Sequence, residues 1–459
     1  PGGLVNAITK RPLDQAFGES SVVAGPDHLS FGLDTGRPLD ADGAWTYRLT
    51  ALSQDGDNGG DYSQDDRLYV APALTWRPSE ATNVTLLADY SRREDNVGSA
   101  IPLDSGIDPD TYLGERDFDR IDREERSIGW DASHSFGNGL TVSQTARWTD
   151  LDLTYEQIYG AGLTAATPRI AFAVDGHLER FAINSQLLYE ASFGAVRSRT
   201  LVGLDHSRDE ARETYSYGTA PGIDPYDPTY TGRGSVVIGS TAEAVTRIED
   251  TGLFLQEELT FDDRLILTLG GRYDWVSTED GAPGATSSFE DEAFTSRAGL
   301  TYKVTPDLSV YANYSESFEP TAGYERTGLS NVDPREGTQY ELGAKFRPAN
   351  GDALLTAAIF DLSQTNLVTQ VSPFVSEQVG EVRVRGLELE GKWEAAQGLS
   401  LTASYAYLDP EIVEDGVGGN EGNQPALTPE HAGSIWADYA VPAAVSARAL
   451  TLGSGVQKC

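Results

Sequence analysis

Long stretches in which apolar and polar residues alternate one by one constrain this chain most. In residues 265–275, mostly apolar side chains at odd positions alternate with Thr268, Arg272 and Asp274 at even positions, and residues 84–91 and 399–407 repeat the pattern. Alternation with a period of two predicts β-strands with one face in an apolar medium and the other in a polar one. The runs exceed the ~5–6 residues of an ordinary globular strand and match the ~9–11 that cross a bilayer at a tilt.

The connections between these runs are alternately short and long. This is typical of an up-and-down membrane barrel with tight turns at one rim and large loops at the other. We therefore predict an all-β fold, a transmembrane antiparallel β-barrel, with about 19 strands between Glu19 and Val456. The predicted short turns are 77–82, 136–139, 193–196, 261–264, 304–307, 348–352 and 395–398, and the predicted long loops are 55–66, 95–123, 157–176, 208–245, 277–290, 319–335 and 409–426.

A membrane barrel of this size turns its apolar face to lipid and its polar face to a wide lumen. The alternation therefore predicts which side chains face each way. We expect Val84, Leu86, Leu267, Leu269, Leu399 and Leu401 to point outward and Thr85, Thr268, Arg272, Glu388 and Thr402 to point inward. The charged residues predicted to line the lumen include Arg272, Arg297, Arg383, Arg385 and Glu388.

The composition excludes several classes of function. Seventy-one acidic and 34 basic side chains give a net charge of −37, which argues against nucleic acid as a partner. No stretch reaches the ~18 apolar residues of a membrane-spanning helix. The five histidines stand apart from any G-x-S-x-G or H-E-x-x-H motif, so we do not expect an enzyme. The single Cys459 excludes a disulfide within the chain.

An acidic segment, DGDNGGDYSQDD at residues 55–66, has the oxygen spacing of a calcium loop at Asp55, Asp57, Asp61 and Asp66. Gly59 stands where a ligand is usual, and Asp66 replaces the usual bidentate Glu. Two interpretations follow: a solvated acidic loop outside the cell, which we favour, and opportunistic calcium binding. We expect no dedicated metal site.

Seven segments occur in an order that is informative as a set. They are PGGLVNAITKRP (1–12), RIEDTGLFLQEELTF (247–261), LILTLGGRYDW (265–275), YSESFEP (314–320), GTQYELGAKF (337–346), VRVRGLELEGKW (382–393) and LTPEHAGSIWADY (427–439). The ordered set resembles the TonB-dependent outer-membrane receptors. Within that family the resemblance is best to siderophore receptors of the ferrichrome (hydroxamate) type.

The resemblance implies a domain organisation. In the family, a globular plug precedes a barrel of the 22-stranded type, and the plug packs against charged lumen residues. Residues 1–16 would then be the end of the plug and its link to the barrel, and residues 17–459 a barrel whose C-terminal strands are missing. The chain lacks methionine and does not begin with a signal peptide, so we interpret it as a fragment of a longer protein.

The resemblance also implies a function. It implies a receptor in the outer membrane of a Gram-negative bacterium that takes up ferric siderophores, which are transported ligands and not bound cofactors. Its partners would be the TonB complex, engaged through a preceding N-terminal region, and the surrounding lipid and lipopolysaccharide. A passive porin, a soluble β-protein and a TonB-dependent receptor for another ligand, such as cobalamin or haem, are the alternatives, and the plug-like residues 2–12 argue against the porin.

Aromatic side chains supply the candidate ligand site. A neutral iron–hydroxamate complex is compact and carries apolar edges and carbonyl oxygens, and tyrosine offers it a flat apolar face and one hydroxyl donor. The predicted loop at residues 213–231 is rich in tyrosine, a second loop begins near residue 155, and a third has a phenylalanine at its mouth. The candidates are Tyr155, Tyr159, Tyr215, Tyr217, Tyr226 and Phe318. Interfacial girdles also use tyrosine, so a structural role is the alternative for each.

Overall fold

The alternating segments of the sequence form strands of one antiparallel sheet. The computed structural model describes residues 8–57, 59–96, 98, 101, 105–160, 165–322, 333–349, 351–372, 375–378, 380–415, 419–426, 428–441 and 450–458. Within these ranges the sheet has 19 strands, each hydrogen-bonded to the next one along the sheet, which confirms the predicted fold and strand count. The first seven residues of the plug-like segment lie outside the described residues.

The strands follow one another with only one interruption. A small separate hairpin, β16–β17, lies between the neighbouring sheet strands β15 and β18. The strands are β1 Phe17–Gly25, β2 His28–Pro38, β3 Trp45–Gly56, β4 Asp65–Ser79, β5 Thr82–Asp95, β6 Arg120–Ser135, β7 Leu140–Tyr159, β8 Arg169–Phe193, β9 Val196–Ala220, β10 Val237–Phe261, β11 Leu265–Ala282, β12 Ala285–Lys303, β13 Leu308–Glu319, β14 Arg335–Phe346, β15 Ala353–Thr365, β16 Val368–Ser372, β17 Val375–Gln378, β18 Gly380–Ala396, β19 Leu399–Asp415, β20 His431–Val441 and β21 Leu450–Lys458.

Helical structure is nearly absent from the described part of the chain. A single 3₁₀ turn, Arg233–Ser235, lies between β9 and β10. No helix in the described ranges is long and apolar enough to cross a membrane.

One face of the sheet carries the segment that precedes β1, and we call it the inner face. Lys10 Nζ lies 2.8 Å from a carboxylate oxygen of Asp34 on β2, and Arg11 Nη2 lies 2.8 Å from Asp131 on β6. Arg48 on β3 donates a hydrogen bond of 2.9 Å to the carbonyl of Arg11. Residues 8–16 therefore lie along the polar side of the wall, the side expected to face a lumen.

The other face, the outer face, is predominantly apolar at the level of the membrane. Leu86, Ile128, Leu269 and Leu342 are exposed on it, as lipid-facing side chains are. The strand registers place all the residues predicted to point outward on this face and all those predicted to point inward on the inner face, which confirms the facing assigned from the alternation.

Several connections predicted as long loops are instead continuations of the strands. The predicted loop 277–290 is a tight turn, because β11 and β12 remain paired up to Ala282 and Ala285. β8, β9 and β10 each have 25 residues and include parts of the predicted loops 157–176 and 208–245. Beyond the membrane both faces of a strand meet water, so the sequence loses its apolar–polar contrast although the backbone pairing continues.

Two adjacent residues of β11, one on each face, allow a direct test of which face of the sheet contacts lipid. Leu269→Arg places a charge on the apolar outer face near mid-membrane and should destabilise the protein by about 2–4 kcal/mol. Thr268→Arg places the same charge on the polar inner face and should cost less than about 1 kcal/mol. Urea titration of the protein folded in phospholipid vesicles measures both. Equal losses in the two variants would contradict the assignment of the faces.

Candidate functional site

Four aromatic side chains meet on the inner face of three adjacent strands. Phe172 on β8 lies at the centre, with ring centroids 5.9 Å from Tyr155 on β7 and 6.3 and 5.3 Å from Tyr215 and Tyr217 on β9. Their alternation puts them on the same face as Arg147 and Asp205, lower on β7 and β9. We call these four residues the inner aromatic cluster.

Two of the three hydroxyl groups in this cluster are held by residues on their own strands. The Tyr155 hydroxyl donates to Gln157 Oε1, and the Tyr215 hydroxyl donates to Glu213 Oε2 at 2.5 Å. Tyr217 remains 43% exposed. The cluster therefore presents fixed ring faces, with polar atoms beside them, to whatever occupies the inner side of the wall.

The structure brings together only some of the predicted ligand residues. Tyr155, Tyr215 and Tyr217 form the cluster, although they lie on strands and not in the loops to which the sequence assigned them. Tyr159 ends β7 on the same inner face, next to Ile170 of β8. Tyr226 lies apart in the loop at residues 221–236, where its hydroxyl donates 2.8 Å to the carbonyl of Ser105.

Phe318 belongs to the opposite face. It alternates along β13 with Ser315 and Ser317, and it shares its side of the strand with Tyr314. The Tyr314 ring lies 5.0 Å from that of Tyr340, which is exposed on the outer face. The prediction that Phe318 joins the tyrosines is therefore wrong, because its position on the pleat directs it away from the inner aromatic cluster.

Phe172 is the member of the cluster that sequence reasoning missed. The sequence predicts a loop at residues 157–176 and therefore does not indicate the pairing of Phe172 with Tyr217. The available signal was the alternation of Ile170, Phe172 and Val174 with alanine and aspartate. Read as a strand, it would have placed Phe172 on one face with Ile170 and Val174.

The predicted lumen charges divide between the two faces. On the inner face, Arg272 binds Asp205 at 2.5 Å and donates 2.7 Å to Asp274, and Arg297 donates to Gln256. Glu388 is also on the inner face.

The prediction is wrong for Arg383 and Arg385. Both lie on the outer face near Asp361; Arg383 donates to it at 2.7 Å, and Arg385 Nε is 3.6 Å away. Along a strand, residues an odd number apart point to opposite sides. Because the pairing of β18 with β15 is continuous, Arg385 and Glu388 cannot share a face.

A buried ion pair joins two of the large loops above the inner aromatic cluster. Arg169, the first residue of β8, and Glu115, in the loop between β5 and β6, are both fully buried and in contact. Arg169 also donates to the carbonyls of Pro221 at 2.7 Å and Leu113 at 2.9 Å. Glu115 in turn accepts the backbone amide of Gly232 at 2.8 Å. The pair therefore fastens residues 113–115 to residues 221–232.

Apolar and aromatic contacts extend this attachment. Phe118, Ile158, Ala171 and Ala220 form the one core cluster of the described residues.

A further contact includes the loop between β3 and β4. The Arg116 guanidinium lies 3.2 Å from the centroid of the Tyr62 ring and 4.2 Å from that of Tyr230. Parts of three connections, 59–64, 105–119 and 221–236, thus pack as one unit, which we call the loop cluster.

Asp119 makes the loop cluster sensitive to pH. Burial raises the pKa of this carboxyl to about 6, from an ordinary 3.8, although the Ile158 amide donates to it at 2.9 Å. Between these two values the folded loop binds more protons than the unfolded one, so its stability should fall as the pH rises from about 4 to about 6, by at most ~3 kcal/mol. Hydrogen exchange of the Ile158 amide across this interval measures the effect. An Asp119→Asn variant that keeps the same dependence would refute it.

The four aspartates of the calcium-like segment do not converge. Asp57 accepts the amide of Gly59 at 2.9 Å, and Asp66 accepts that of Gly56 at 3.1 Å, so these carboxylates cap their own loop. Neither Asp55 nor Asp61 joins them in a group with closely spaced ligand atoms in the part of the chain that the structure describes. The calcium interpretation is not supported by this geometry.

Comparison with known proteins identifies the family. Residues 73–456 match the model of the TonB dependent receptor-like β-barrel. The chain is 31% identical to the ferrichrome outer membrane transporter/phage receptor of Escherichia coli K12, over 96% of this chain and 64% of that protein. It is 30% identical to the ferrioxamine B receptor of Salmonella typhimurium LT2, over 100% of this chain and 66% of that protein.

The fold agrees with the sequence comparison. The siderophore receptor PiuA of Acinetobacter baumannii superposes with a TM-score of 0.84 at 23% identity, over 97% of this chain and 72% of that one. This likeness concerns the fold. The chain spans about two thirds of the length of the relatives with which it aligns. With 19 antiparallel sheet strands among its described residues, a polar inner face and a family match over most of its length, the chain belongs to the TonB-dependent receptors and forms a β-barrel of the outer membrane.

Proposed function

We propose that the protein is the barrel of an energy-coupled receptor that takes up ferric siderophores of the hydroxamate class. The observation that carries the proposal is the inner aromatic cluster of Tyr155, Phe172, Tyr215 and Tyr217. Relatives named as ferrichrome and ferrioxamine receptors support the ligand class. In this proposal the protein carries out no catalysis; its iron is cargo in the siderophore.

The chemistry of the cluster suits a neutral ligand. Three phenol rings around a phenyl ring offer apolar faces, and two of the three hydroxyl groups, those of Tyr155 and Tyr215, are already engaged by Gln157 and Glu213. The net charge of −37 disfavours the binding of anionic ferric catecholates, because an anionic ligand is bound best by a receptor with cationic groups at its site. Tyr159, on the same face, is the natural extension of the contact surface, and Tyr226 belongs to the loop cluster above it.

The competing functions have less support. A passive porin gives no reason for residues 8–16 to pair with Asp34 and Asp131 on the inner face. A TonB-dependent receptor for cobalamin or haem uses the same fold, so the fold does not choose among ligands. The named relatives favour a siderophore.

The proposal includes partners outside the described chain. Coupling to the TonB complex would require a region preceding the barrel, as in the family. Lipopolysaccharide would meet the outer face above the apolar band, where arginines such as Arg126 and Arg383 are exposed among carboxylates. Residues 1–16 are proposed as the end of the plug, and residues 17–459 as the barrel.

The test is a titration of the purified protein with ferrichrome, ferrioxamine B and a ferric catecholate. Binding is measured by the quenching of tryptophan fluorescence. We expect saturable binding of at least one hydroxamate and binding of the catecholate at least about tenfold weaker. Tighter binding of the catecholate would overturn the ligand class and leave the receptor class standing. Equal uptake of siderophores in cells with and without TonB would overturn the energy-coupled mechanism.

A further inference from the structure

One imidazole and two carboxylates come together on the outer face, away from the aromatic cluster. Across the β7–β8 pair, Asp150 is directly opposite Glu179 and Asp152 is directly opposite His177. The ligand atoms of Asp150, His177 and Glu179 lie within 4.8 Å of one another. Among the residues that the structure describes, this is the one group of its kind.

The histidine is oriented by a fourth residue. Its Nδ1 lies 2.9 Å from Asp152 Oδ1, and its Nε2 lies 3.6 Å from Asp150 Oδ2. Histidines that bind metals usually donate the other ring N–H to a carboxylate, which fixes the ring and its tautomer. With Nδ1 engaged by Asp152 at 2.9 Å, Nε2 is directed toward Asp150.

The carboxylate of Asp150 has cationic neighbours only at long ion-pair distances. Asp150 and Glu179 carry like charges and lie directly opposite one another on paired strands. Such an arrangement is destabilising. The other cross-strand neighbour of Glu179 is Glu210, which is bound to Arg212 at 2.6 Å. The nearest arginine, Arg126, is 3.8 Å from Asp150. Arg126 and His177 compensate Asp150 only partly at 3.8 and 3.6 Å, so a cation held between Asp150 and Glu179 would reduce the remaining repulsion.

We propose that Asp150, His177 and Glu179 bind a divalent transition-metal ion of the Zn²⁺ class, with Asp152 as a positioning residue. Two ligands on a tetrahedral zinc ion at ~2.0–2.1 Å lie ~3.3 Å apart, close to the separation of His177 Nε2 and Asp150 Oδ2. Water would complete the coordination. The imidazole selects against Ca²⁺ and Mg²⁺, which prefer oxygen ligands. The site is independent of the siderophore proposal, because it lies on the opposite face of the wall.

The experiment is a titration of the chelator-treated protein in detergent with Zn²⁺, by calorimetry, and in parallel with Ca²⁺. We expect one saturable zinc component per chain. His177→Gln should weaken it at least about 100-fold, and Asp152→Asn about 10- to 100-fold. His206→Gln is the matched control. His206 on β9 forms a hydrogen bond with Thr251 on β10 and is not part of the proposed site, so this substitution should leave zinc binding unchanged.

Zinc binding that survives unchanged in His177→Gln, or equally tight Ca²⁺ binding, would overturn the site, since either result would indicate a nonspecific acidic surface. The absence of a one-to-one component at millimolar zinc would also overturn it. The anomalous signal at the zinc absorption edge, or X-ray absorption spectra showing one nitrogen-bearing ligand, provides a second readout. Heat-dependent electrophoretic mobility confirms that each variant is folded.

Discussion

Replacing Arg169 by methionine is expected to free the loop cluster from the barrel wall. The substitution leaves the fully buried Glu115 without its cation and removes the hydrogen bonds to the carbonyls of Pro221 and Leu113. Breaking a buried pair by removing one partner costs about 3–5 kcal/mol. Opening of the loops at residues 105–119 and 221–236 should therefore become about 150- to 5,000-fold more frequent.

Hydrogen exchange followed by mass spectrometry measures this opening peptide by peptide. The barrel strands should exchange as before, because the lost contacts belong to the loops. Arg199→Ala is the matched control: Arg199 also pairs with a glutamate, Glu190, but both side chains are more than half exposed. An exposed pair contributes about 0–1 kcal/mol, so its loss should hardly change exchange. Unchanged protection in Arg169→Met would show that the pair does not hold the loops.

Removing the inner aromatic cluster is expected to abolish most siderophore affinity. Each buried aromatic truncation costs on the order of 1–3 kcal/mol, or about 5- to 150-fold in affinity. Phe172→Ala should cost more than any single tyrosine, because its ring contacts those of Tyr155, Tyr215 and Tyr217. A variant with Phe172→Ala, Tyr215→Ala and Tyr217→Ala should show little measurable binding of ferrichrome or ferrioxamine B.

Phe318→Ala is the control for this series, since it removes an aromatic ring from the opposite face of the wall. It should bind both siderophores with the affinity of the unaltered protein. If Phe318→Ala weakened binding while the triple variant did not, the ligand would not lie on the inner face where we place it. Circular dichroism confirms that each variant retains its β structure.

The sequence was most informative where the strands cross the membrane. There, Leu267 and Leu269 contrast with Thr268 and Arg272, so the strand and its facing could both be predicted. Above the membrane both faces are wet, and residues 277–290 carry polar side chains on each side. In the sequence, paired strands at that height therefore resemble loops, and the sequence predicts that Tyr215 and Tyr217 lie in a connection.

The candidate site was harder to predict because it depends on register between strands. The contact of Phe172 with Tyr217 follows from the pairing of β8 with β9, which alternation within one strand does not specify. The Glu115–Arg169 pair joins residues 54 positions apart through loops without periodicity. The errors at Arg383 and Phe318 were of another kind: counting positions along the strand from Glu388 or Tyr314 was enough to place both on the outer face.

Because the strands differ in length, the turns that join them lie at different heights above the outer surface of the membrane. At ~3.3 Å per residue, the 25 residues of β8, β9 and β10 measure about 80 Å, whereas a tilted crossing of the apolar band needs only ~9–11 residues. β1, with 9 residues, barely spans that band. An epitope tag inserted in the turn at residues 283–284, beside the long strands, would stand well above the membrane surface and be accessible to antibody on intact cells. The same tag at residues 26–27, between β1 and β2, would sit among the lipid head groups and remain shielded.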